Sequence, residues 1–199
     1  MELAIVKYNA GNIQSVLYAL ERIGATATVT DDHELLRKAD KVIFPGVGEA
    51  SSAMRYLQAH GLDTVLKELQ QPVLGICLGM QLMCAYSEEN DTNCLGIFEE
   101  RVKLFPSANT PDGPIKIPQI GWNNIYSLKT ELFKGVPENS YCYFVHGYYA
   151  SLGEHTIATT EYGQEYSSAL HTKNFYGVQF HPEKSAAIGE TILKNFLNI

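Results

Sequence analysis

The sequence predicts an α/β protein with a mostly parallel central sheet flanked by helices, and with additional antiparallel strands in the C-terminal half. Over the first 85 residues, strand-like segments alternate with helical ones, which is the pattern of a doubly wound parallel sheet. Apolar runs at 3–6, 42–44 and 73–76 are what strands covered on both faces require. At 199 residues the chain fits a single domain, which we expect to span 1–199.

The elements of the first half can be placed in order. A helix is predicted over 13–23, because apolar residues recur there at steps of three and four and give it one apolar face. The predicted strands are ELAIVK, ATATV, KVIFP and PVLGIC, and the helical segments between them are IQSVLYALERIG, DHELLRKA, SSAMRYLQAHG and VLKELQ.

The second half has a different character. Pro106, Pro111, Pro114 and Pro118 fall in a stretch that cannot form a long helix or a central strand, so it is predicted as loop between short strands. From Tyr141 onward, aromatic and β-branched segments separated by turn signals predict strands, and a final helix is expected near 186–197. The strand segments are YCYFVHGYY, HTIATTEY, EYSSALHT and NFYGVQFHPE.

Composition excludes several classes of function. Hydrophobic residues make up 45% of the chain and the formal charge is -7, with no basic stripe, so we expect no nucleic-acid partner. The N-terminal apolar run is too short for a signal peptide, and no segment approaches the roughly 20 apolar residues that span a bilayer. We therefore expect a soluble cytoplasmic protein without a membrane partner.

The four cysteines show no CxxC spacing and no nearby Cys/His pair. Neither a zinc site nor a disulfide framework is indicated, and we expect no metal and no cofactor. Three of them, Cys84, Cys94 and Cys142, are interpreted as buried thiols, because free cysteine behaves as a small hydrophobe.

The fourth, Cys77, lies in the segment Gly75-Ile76-Cys77-Leu78-Gly79, where an apolar strand ends and a helix begins. This is the cysteine counterpart of the nucleophile elbow, in which glycines permit a tight turn that exposes the nucleophile above the sheet. A helix N-terminus favours a thiolate there, and the Leu78 N–H points toward an oxyanion on the attacked carbonyl. The alternative is a buried cysteine whose flanking glycines serve packing alone.

His181-Pro182-Glu183 follows the strand-like segment YGVQF. Pro182 disfavours helical geometry at His181, and in an extended segment residues two apart share a face, so Glu183 can reach one imidazole nitrogen. A carboxylate on that nitrogen orients the histidine as a general base for a thiol. The alternative is a surface histidine beside a solvated glutamate.

Pro45-Gly46-Val47-Gly48 follows the apolar strand KVIF, at the sheet edge where α/β ligand sites lie. Its glycines let backbone approach a ligand, and Gly48 is the candidate for a second oxyanion donor; the alternative is a plain turn. His33, His60, His155 and His171 are not expected to act chemically, and the tyrosines near 141–149 are interpreted as packing residues.

Together, P-G-V-G, G-I-C-L-G-M-Q and F-H-P-E-K-S resemble the class I glutamine amidotransferase family over essentially the whole chain. Within that family, Y-N-A-G-N-I-Q-S-V, Gly121-Trp122-Asn123 and H-P-E-K-S resemble the glutaminase subunits of histidine biosynthesis.

The resemblance implies that family's fold and the hydrolysis of glutamine to glutamate and ammonia. It implies a triad of Cys77, His181 and Glu183, and Gly48 and Leu78 as oxyanion donors. The substrate-binding residues that it implies are Gly46, Gln81, Glu89, His146, Gly147 and Tyr148, with Glu89 on the α-amino group.

The same resemblance implies a partner. Ammonia passes to a cyclase subunit with a (β/α)₈ barrel, the two forming a heterodimer that makes imidazole glycerol phosphate and aminoimidazole carboxamide ribotide. Asn12, Trp122 and Lys184 match positions near that interface, and little activity is expected without the partner. Three departures from the family pattern, Gln119 for His, Gly147 for Ser or Thr, and Lys7-Tyr8-Asn9 for Asp-Tyr-Gly, leave the triad intact.

Three other functions are compatible with parts of the sequence. One is a glutaminase for a different acceptor, as in pyridoxal phosphate or anthranilate synthesis, which the H-P-E-K-S ending and the G-W-N element disfavour. A second is a scaffold without activity, which an intact Cys, His and Glu set disfavours. The third is a general cysteine hydrolase for a small amide, which would act without a partner.

Overall fold

The computed structural model describes residues 1–107, 109–110 and 113–199. In the first half, four strands alternate with helices as expected, although the second strand is short. The strands are β1 (Leu3–Val6), β2 (Thr28–Thr30), β3 (Lys41–Gly46) and β4 (Val73–Cys77), and the helices are α1 (Ile13–Arg22), α2 (His33–Lys38), α3 (Ala50–Ala59), α4 (Leu62–Glu68) and α5 (Leu78–Met83).

The second half is built largely of strands and ends in one long helix. Two 3₁₀ turns, Glu131–Phe133 and Pro182–Lys184, interrupt it. The strands are β5 (Tyr86–Ser87), β6 (Thr92–Asn93), β7 (Arg101–Leu104), β8 (Asn109–Thr110), β9 (Gly113–Pro114), β10 (Gln119–Ile125), β11 (Ser140–His146), β12 (Tyr148–Ala150), β13 (Thr156–Glu161), β14 (Glu165–Thr172) and β15 (Phe175–Val178), and the helix is α6 (Ala186–Asn198). Short strands and loop occupy the proline stretch, where Pro111 lies outside the described residues.

The main sheet has the strand order β2-β1-β3-β4-β15-β14-β12-β7-β5-β6, and β13 pairs with β14. From β2 to β15 every neighbouring pair is parallel, whereas β15–β14, β14–β12 and β12–β7 are antiparallel. The predicted mixed sheet is thereby confirmed. Its most consequential feature is that β15, near the end of the chain, lies beside β4.

The core fills both faces of the parallel region. Successive residues of β1 and β3 enter opposite clusters: Val6 and Phe44 pack with α3 and α4, while Ile5 and Ile43 pack with α1 and α6. Because residues alternate across a strand, only a sheet covered on both faces needs the continuous apolar runs seen in the sequence. Among the described residues, no helix is both long and apolar enough to cross a membrane.

A second, two-stranded sheet of β10 and β11 lies against the main sheet, with Gln119 paired to His146 and Ile125 to Ser140. Residues directly opposite each other share a face. One face of this sheet is buried and carries Cys142, Phe144 and His146. The other we call the outer face; its members are Ile120, Trp122, Asn124, Tyr141, Tyr143 and Val145.

Candidate active site

Cys77 occupies the turn from β4 into α5 with φ 53° and ψ -110°. A side chain with a Cβ rarely adopts positive φ, and such strain is typical of functional positions that their surroundings hold in place. The flanking glycine explains how the turn closes, because a Cβ at Gly79 would overlap the carbonyl oxygen of Phe44 in β3. The close packing of α5 on β3 and the strained conformation of Cys77 are therefore two consequences of one glycine-flanked turn.

His181 reaches Cys77 because of the strand order. Val178 of β15 is in register with Ile76 of β4, so the residues that follow both strands emerge at the same sheet edge. The His181 N–H also donates to the Tyr143 carbonyl at 2.9 Å, which fastens the histidine backbone to β11.

Glu183 accepts a hydrogen bond from His181, with 2.8 Å between Nδ1 and Oε1. The predicted contact is present, but the predicted backbone was wrong beyond His181. His181 itself is extended, with φ -98° and ψ 96°, whereas Pro182–Lys184 forms a 3₁₀ turn. Proline suits the first position of such a turn, and the turn brings Glu183 back beneath the imidazole.

The charge state of His181 depends on its neighbours. Burial alone would lower its pKa, but the Cys77 sulfur and then the Glu183 carboxylate raise the pKa of His181 to about 10. The imidazole is thus protonated at neutral pH and faces the sulfur. Nδ1 is held by Glu183, so Nε2 is the nitrogen available for exchanging a proton with Cys77 and with a leaving group.

A cavity of about 210 Å³ opens beside this pair. Gly46 is not among the residues that line it: this glycine pairs with Cys77 across β3 and β4, where a Cβ would overlap the Tyr8 hydroxyl. Apart from Glu183, the remaining predicted catalytic, oxyanion and substrate-binding residues all line the cavity, namely Cys77, His181, Gly48, Leu78, Gln81, Glu89, His146, Gly147 and Tyr148. Glu183 supports the cavity from behind His181.

Glu89 and Gln81 present acceptors to the cavity. One Glu89 oxygen accepts the Ala50 N–H at 2.8 Å, which leaves the other free for a cationic group, and burial raises the pKa of Glu89. The Gln81 amide nitrogen donates to the Tyr148 carbonyl and to Gln179 Oε1, both at 2.9 Å. Only its oxygen therefore remains for a ligand.

His146 is held in the cavity wall by a buried network. Its Nδ1 lies 2.6 Å from the Tyr148 carbonyl and its Nε2 lies 3.2 Å from the Tyr166 hydroxyl, which also contacts Gln119 at 2.9 Å. A carbonyl only accepts, so Nδ1 carries the proton. Burial lowers the pKa of His146 to about 4, which leaves the ring neutral at pH 7.

Sequence reasoning did not single out three buried polar side chains at this site. They are Tyr8, whose hydroxyl donates to the Pro45 carbonyl at 2.8 Å, Tyr166, and Gln179, whose Nε2 lies 3.7 Å from Cys77 Sγ. Gln179 stands between Val178 and Phe180, and a polar residue in an apolar run was the available signal for it, because burial requires a partner. Tyr8 and Tyr166 have polar neighbours in the sequence and gave no such signal.

Of the three predicted interface residues, Trp122 lies on the outer face of the β10–β11 sheet, Lys184 lies beside that face, and Asn12 lies at the start of α1. Trp122 is 53% exposed and packs edge-on against Tyr143, and the Lys184 ammonium lies 6.0 Å from the same tyrosine ring. Asn12 occupies the N-cap position of α1, without a side-chain capping hydrogen bond, and is half-buried. Within the described ranges, no group of three or more His, Cys, Asp or Glu side chains is arranged to hold a metal ion.

Solved structures share this architecture. The chain is similar to a glutamine amidotransferase crystal structure, at 17% identity over 100% of this chain and 98% of the other, with a TM-score of 0.74. It is similar also to PurLQS from Thermotoga maritima, at 17% identity over 99% and 97% of the two chains, with a TM-score of 0.71. The family model for class-I glutamine amidotransferases matches residues 4–199, and the chain belongs to that family.

Similar full-length proteins indicate which subgroup of the family this chain resembles. Proteins named imidazole glycerol phosphate synthase subunit HisH match over their full length in Bacteroides fragilis at 55% identity and in Bacteroides thetaiotaomicron at 53%, covering 100% of both chains. The Haemophilus influenzae protein of that name is 42% identical over 99% of this chain and 97% of its own. Within the class-I family, this chain groups with the HisH subunits.

Proposed function

We propose that this chain is the glutaminase subunit of an imidazole glycerol phosphate synthase, and that it hydrolyses glutamine to glutamate and ammonia for a cyclase partner. The observation that carries the proposal is a single pocket in which Cys77 stands on a strained turn and faces a histidine held by Glu183 at 2.8 Å. The names of the similar full-length relatives support the acceptor pathway. They do not favour pyridoxal phosphate or anthranilate synthesis.

In the proposed reaction, the Cys77 sulfur attacks the side-chain carboxamide carbon of glutamine and forms a tetrahedral oxyanion. The Leu78 N–H, at the start of α5, and the Gly48 N–H stabilise that charge. His181 gives its proton to the departing nitrogen, so that ammonia leaves and a thioester remains. Water then attacks the thioester with His181 as general base, which releases glutamate and restores the Cys77 sulfur.

Glu183 is proposed to act through His181. It fixes the imidazole orientation from a buried position and stabilises the imidazolium that donates the proton. Both side chains are almost wholly buried, and a buried carboxylate without a cationic neighbour is costly. The pairing therefore ties the charge of one residue to that of the other.

Glutamine recognition follows from the free acceptors of the cavity. The unbonded Glu89 oxygen is placed to accept the substrate α-ammonium, and Gln81 Oε1 supplies a further acceptor. The backbone of His146, Gly147 and Tyr148 closes the same wall. Gln81 thus contributes an oxygen, because its nitrogen is already committed to two protein acceptors.

The outer face of the β10–β11 sheet is the proposed docking surface for a (β/α)₈-barrel cyclase. It carries Ile120, Trp122 and Tyr141, which are 64%, 53% and 57% exposed, and exposed aromatic clusters mark protein interfaces. The same strand β11 contacts the reacting sulfur, since the Val145 carbonyl lies 3.7 Å from Cys77 Sγ. A partner bound there lies next to the place where ammonia is released.

The decisive experiment measures glutamate release from glutamine by the chain alone, and by the chain with a cyclase subunit and its nucleotide ligand. We expect low activity alone and a large increase with the liganded partner, and we expect Cys77→Ala to abolish both. If the partner leaves the rate unchanged, the histidine-pathway acceptor is wrong. If wild type and Cys77→Ala are equally inert, the chain is a scaffold.

A further inference from the structure

Gln179 is a fully buried polar side chain that the catalytic steps above do not use. It follows β15 and lies two residues before His181. Its Nε2 is 3.7 Å from Cys77 Sγ, and its Oε1 accepts from Gln81 Nε2 at 2.9 Å. The side chain therefore links the reacting sulfur to a second buried amide.

The orientation of this amide follows from a backbone group. Oxygen and nitrogen of a carboxamide are distinguished only by their partners. The Tyr148 carbonyl can only accept, so the atom of Gln81 that lies 2.9 Å from it is the amide nitrogen. That same nitrogen lies 2.9 Å from Gln179, which must therefore present its oxygen to Gln81. The Gln179 NH₂ group is left facing the sulfur.

Besides His181, the sulfur has two polar neighbours of opposite kind. The Val145 carbonyl accepts from the thiol at 3.7 Å, and that hydrogen bond disappears when the thiol loses its proton. The Gln179 N–H remains a donor in both states and is stronger toward an anion, because charge-assisted hydrogen bonds exceed neutral ones. One neighbour favours the thiol, and the other favours the thiolate.

We propose that Gln179 is a catalytic residue that donates a hydrogen bond to the Cys77 sulfur and stabilises it as a thiolate, both before attack on glutamine and as the leaving group when the thioester is hydrolysed. Gln81 and the Tyr148 carbonyl hold Gln179 in that orientation. The proposal rests on the glutaminase function proposed above. It adds a hydrogen-bond donor to the sulfur, whereas His181 exchanges the proton.

Other groups near the sulfur do not replace this donor. His181 supplies the positive charge, with Glu183 behind it. Tyr8 and Tyr166 are close enough for Cys77 to affect their titration, but burial raises the pKa of both phenols, so they carry no charge at neutral pH. Tyr8 donates its proton to the Pro45 carbonyl, and Tyr166 contacts Gln119 and His146. Both hydroxyl protons are therefore committed to oxygen acceptors, the Pro45 carbonyl and Gln119 Oε1.

The test is the pH dependence of Cys77 alkylation by iodoacetamide in the full chain, read by mass spectrometry of the Cys77 peptide. This readout needs neither glutamine nor a partner. Burial raises the pKa of the Cys94 and Cys142 thiols to about 12 and that of Cys84 further, so these three react slowly. Thiolate reactivity is thus measured at one position.

Two variants remove the donor. Gln179→Met keeps the length and Gln179→Leu keeps the approximate volume, and both lose the N–H without placing a charge beside the sulfur. We expect both to raise the pH midpoint of alkylation by roughly one unit, equivalent to about a tenfold loss of thiolate at a pH below the midpoint. Glutamate release with the partner should fall at neutral pH by a similar factor, in kcat rather than KM.

The matched control is Gln71→Met. Gln71 also uses its side-chain nitrogen on a protein acceptor, the Leu36 carbonyl at 2.7 Å, but it precedes β4, whereas Cys77 ends that strand. The pH midpoint of Cys77 alkylation in Gln71→Met should equal that of wild type. Circular dichroism establishes that each variant is folded, and Gln179→Leu provides the reading if Gln179→Met does not fold.

The outcomes separate this proposal from the one on which it rests. Unchanged midpoints in folded Gln179 variants overturn the role of Gln179 and leave the glutaminase function standing. If wild-type Cys77 is not alkylated at all, or if no glutamate is released with the partner, the glutaminase function fails and takes this proposal with it.

Discussion

At the scale of single residues, His146 makes folding stability depend on pH. Burial lowers its pKa from 6.5 to about 4, so between these values the unfolded chain binds a proton that the folded chain does not. Stability is then fully present above pH 6.5 and is lost as the pH falls toward 4. One such group changes the free energy of unfolding by at most about 1.4 kcal/mol per pH unit, or roughly 3 kcal/mol over the window.

We predict that His146→Asn flattens this acid dependence. Asparagine retains an amide donor for the Tyr148 carbonyl but takes up no proton in this range. The variant should be less stable than wild type at pH 7, because it loses the contact with Tyr166, yet the difference should shrink by pH 4.5. Urea unfolding at several pH values measures both quantities. The same substitution at exposed His60 is the control, and parallel slopes for His146→Asn and wild type would contradict the assignment.

The sequence predicted the triad contact because His181 and Glu183 are only two residues apart. It predicted the wrong backbone between them, since Pro182 restricts the residue before it but also suits the first position of a 3₁₀ turn. Gln179 and Tyr166 could not be assigned roles from the sequence. Their roles depend on partners 102 and 20 residues away in the chain, which only the fold brings into contact.

At the scale of elements, the approach of α5 to β3 determines the geometry of the turn that carries Cys77. A helix whose backbone nearly touches a strand requires a glycine at the contact, and Gly79 occupies it against the Phe44 carbonyl. In an open helix, replacing glycine by alanine gains up to about 1 kcal/mol of helix propensity. Here steric overlap with backbone, which cannot move aside as a flexible side chain can, outweighs that gain.

We therefore predict that Gly79→Ala destabilises the protein by about 2–4 kcal/mol and displaces Cys77 from the pocket. Thermal unfolding and glutamate release measure the two effects. Gly147→Ala is the control for stability, because a Cβ at Gly147 meets its nearest neighbours at an ordinary 3.8 Å. A Gly79→Ala protein as stable as wild type would show that α5 can move away from β3 without cost.

Local patterns sufficed to predict the existence and type of the first-half elements, but not the strand order. Apolar runs reveal that a strand is buried on both faces, yet they do not say which neighbour covers it. The insertion of β15 between β4 and β14 joins residues separated by about a hundred positions. That insertion brings His181 to Cys77 in the candidate site, and no periodicity within β15 indicates it.

At the scale of the whole molecule, the backbone of β11 connects the outer face to Cys77 and His181. The Tyr143 side chain lies on the outer face beside Trp122, while its carbonyl accepts the His181 N–H at 2.9 Å and its N–H donates to the Ser185 hydroxyl at 3.0 Å. Ser185 in turn donates to the His181 carbonyl at 2.6 Å. A partner pressing on one face of β11 therefore acts on the strand that holds His181.

This arrangement predicts that Trp122→Ala weakens binding of the cyclase subunit without changing the free chain. A central, exposed tryptophan at an interface commonly contributes at least 2 kcal/mol, which corresponds to about a thirtyfold rise in Kd. Titration calorimetry with the cyclase gives the Kd, and Cys77 alkylation of the free chain should match wild type. Leu35→Ala is the control, because Leu35 is similarly exposed, at 51%, but lies on α2.

If Trp122→Ala binds as tightly as wild type, the cyclase docks elsewhere and β11 is not the route of activation. If binding weakens while partner-stimulated glutamate release at saturation is unchanged, the outer face provides affinity and the switch lies in another contact.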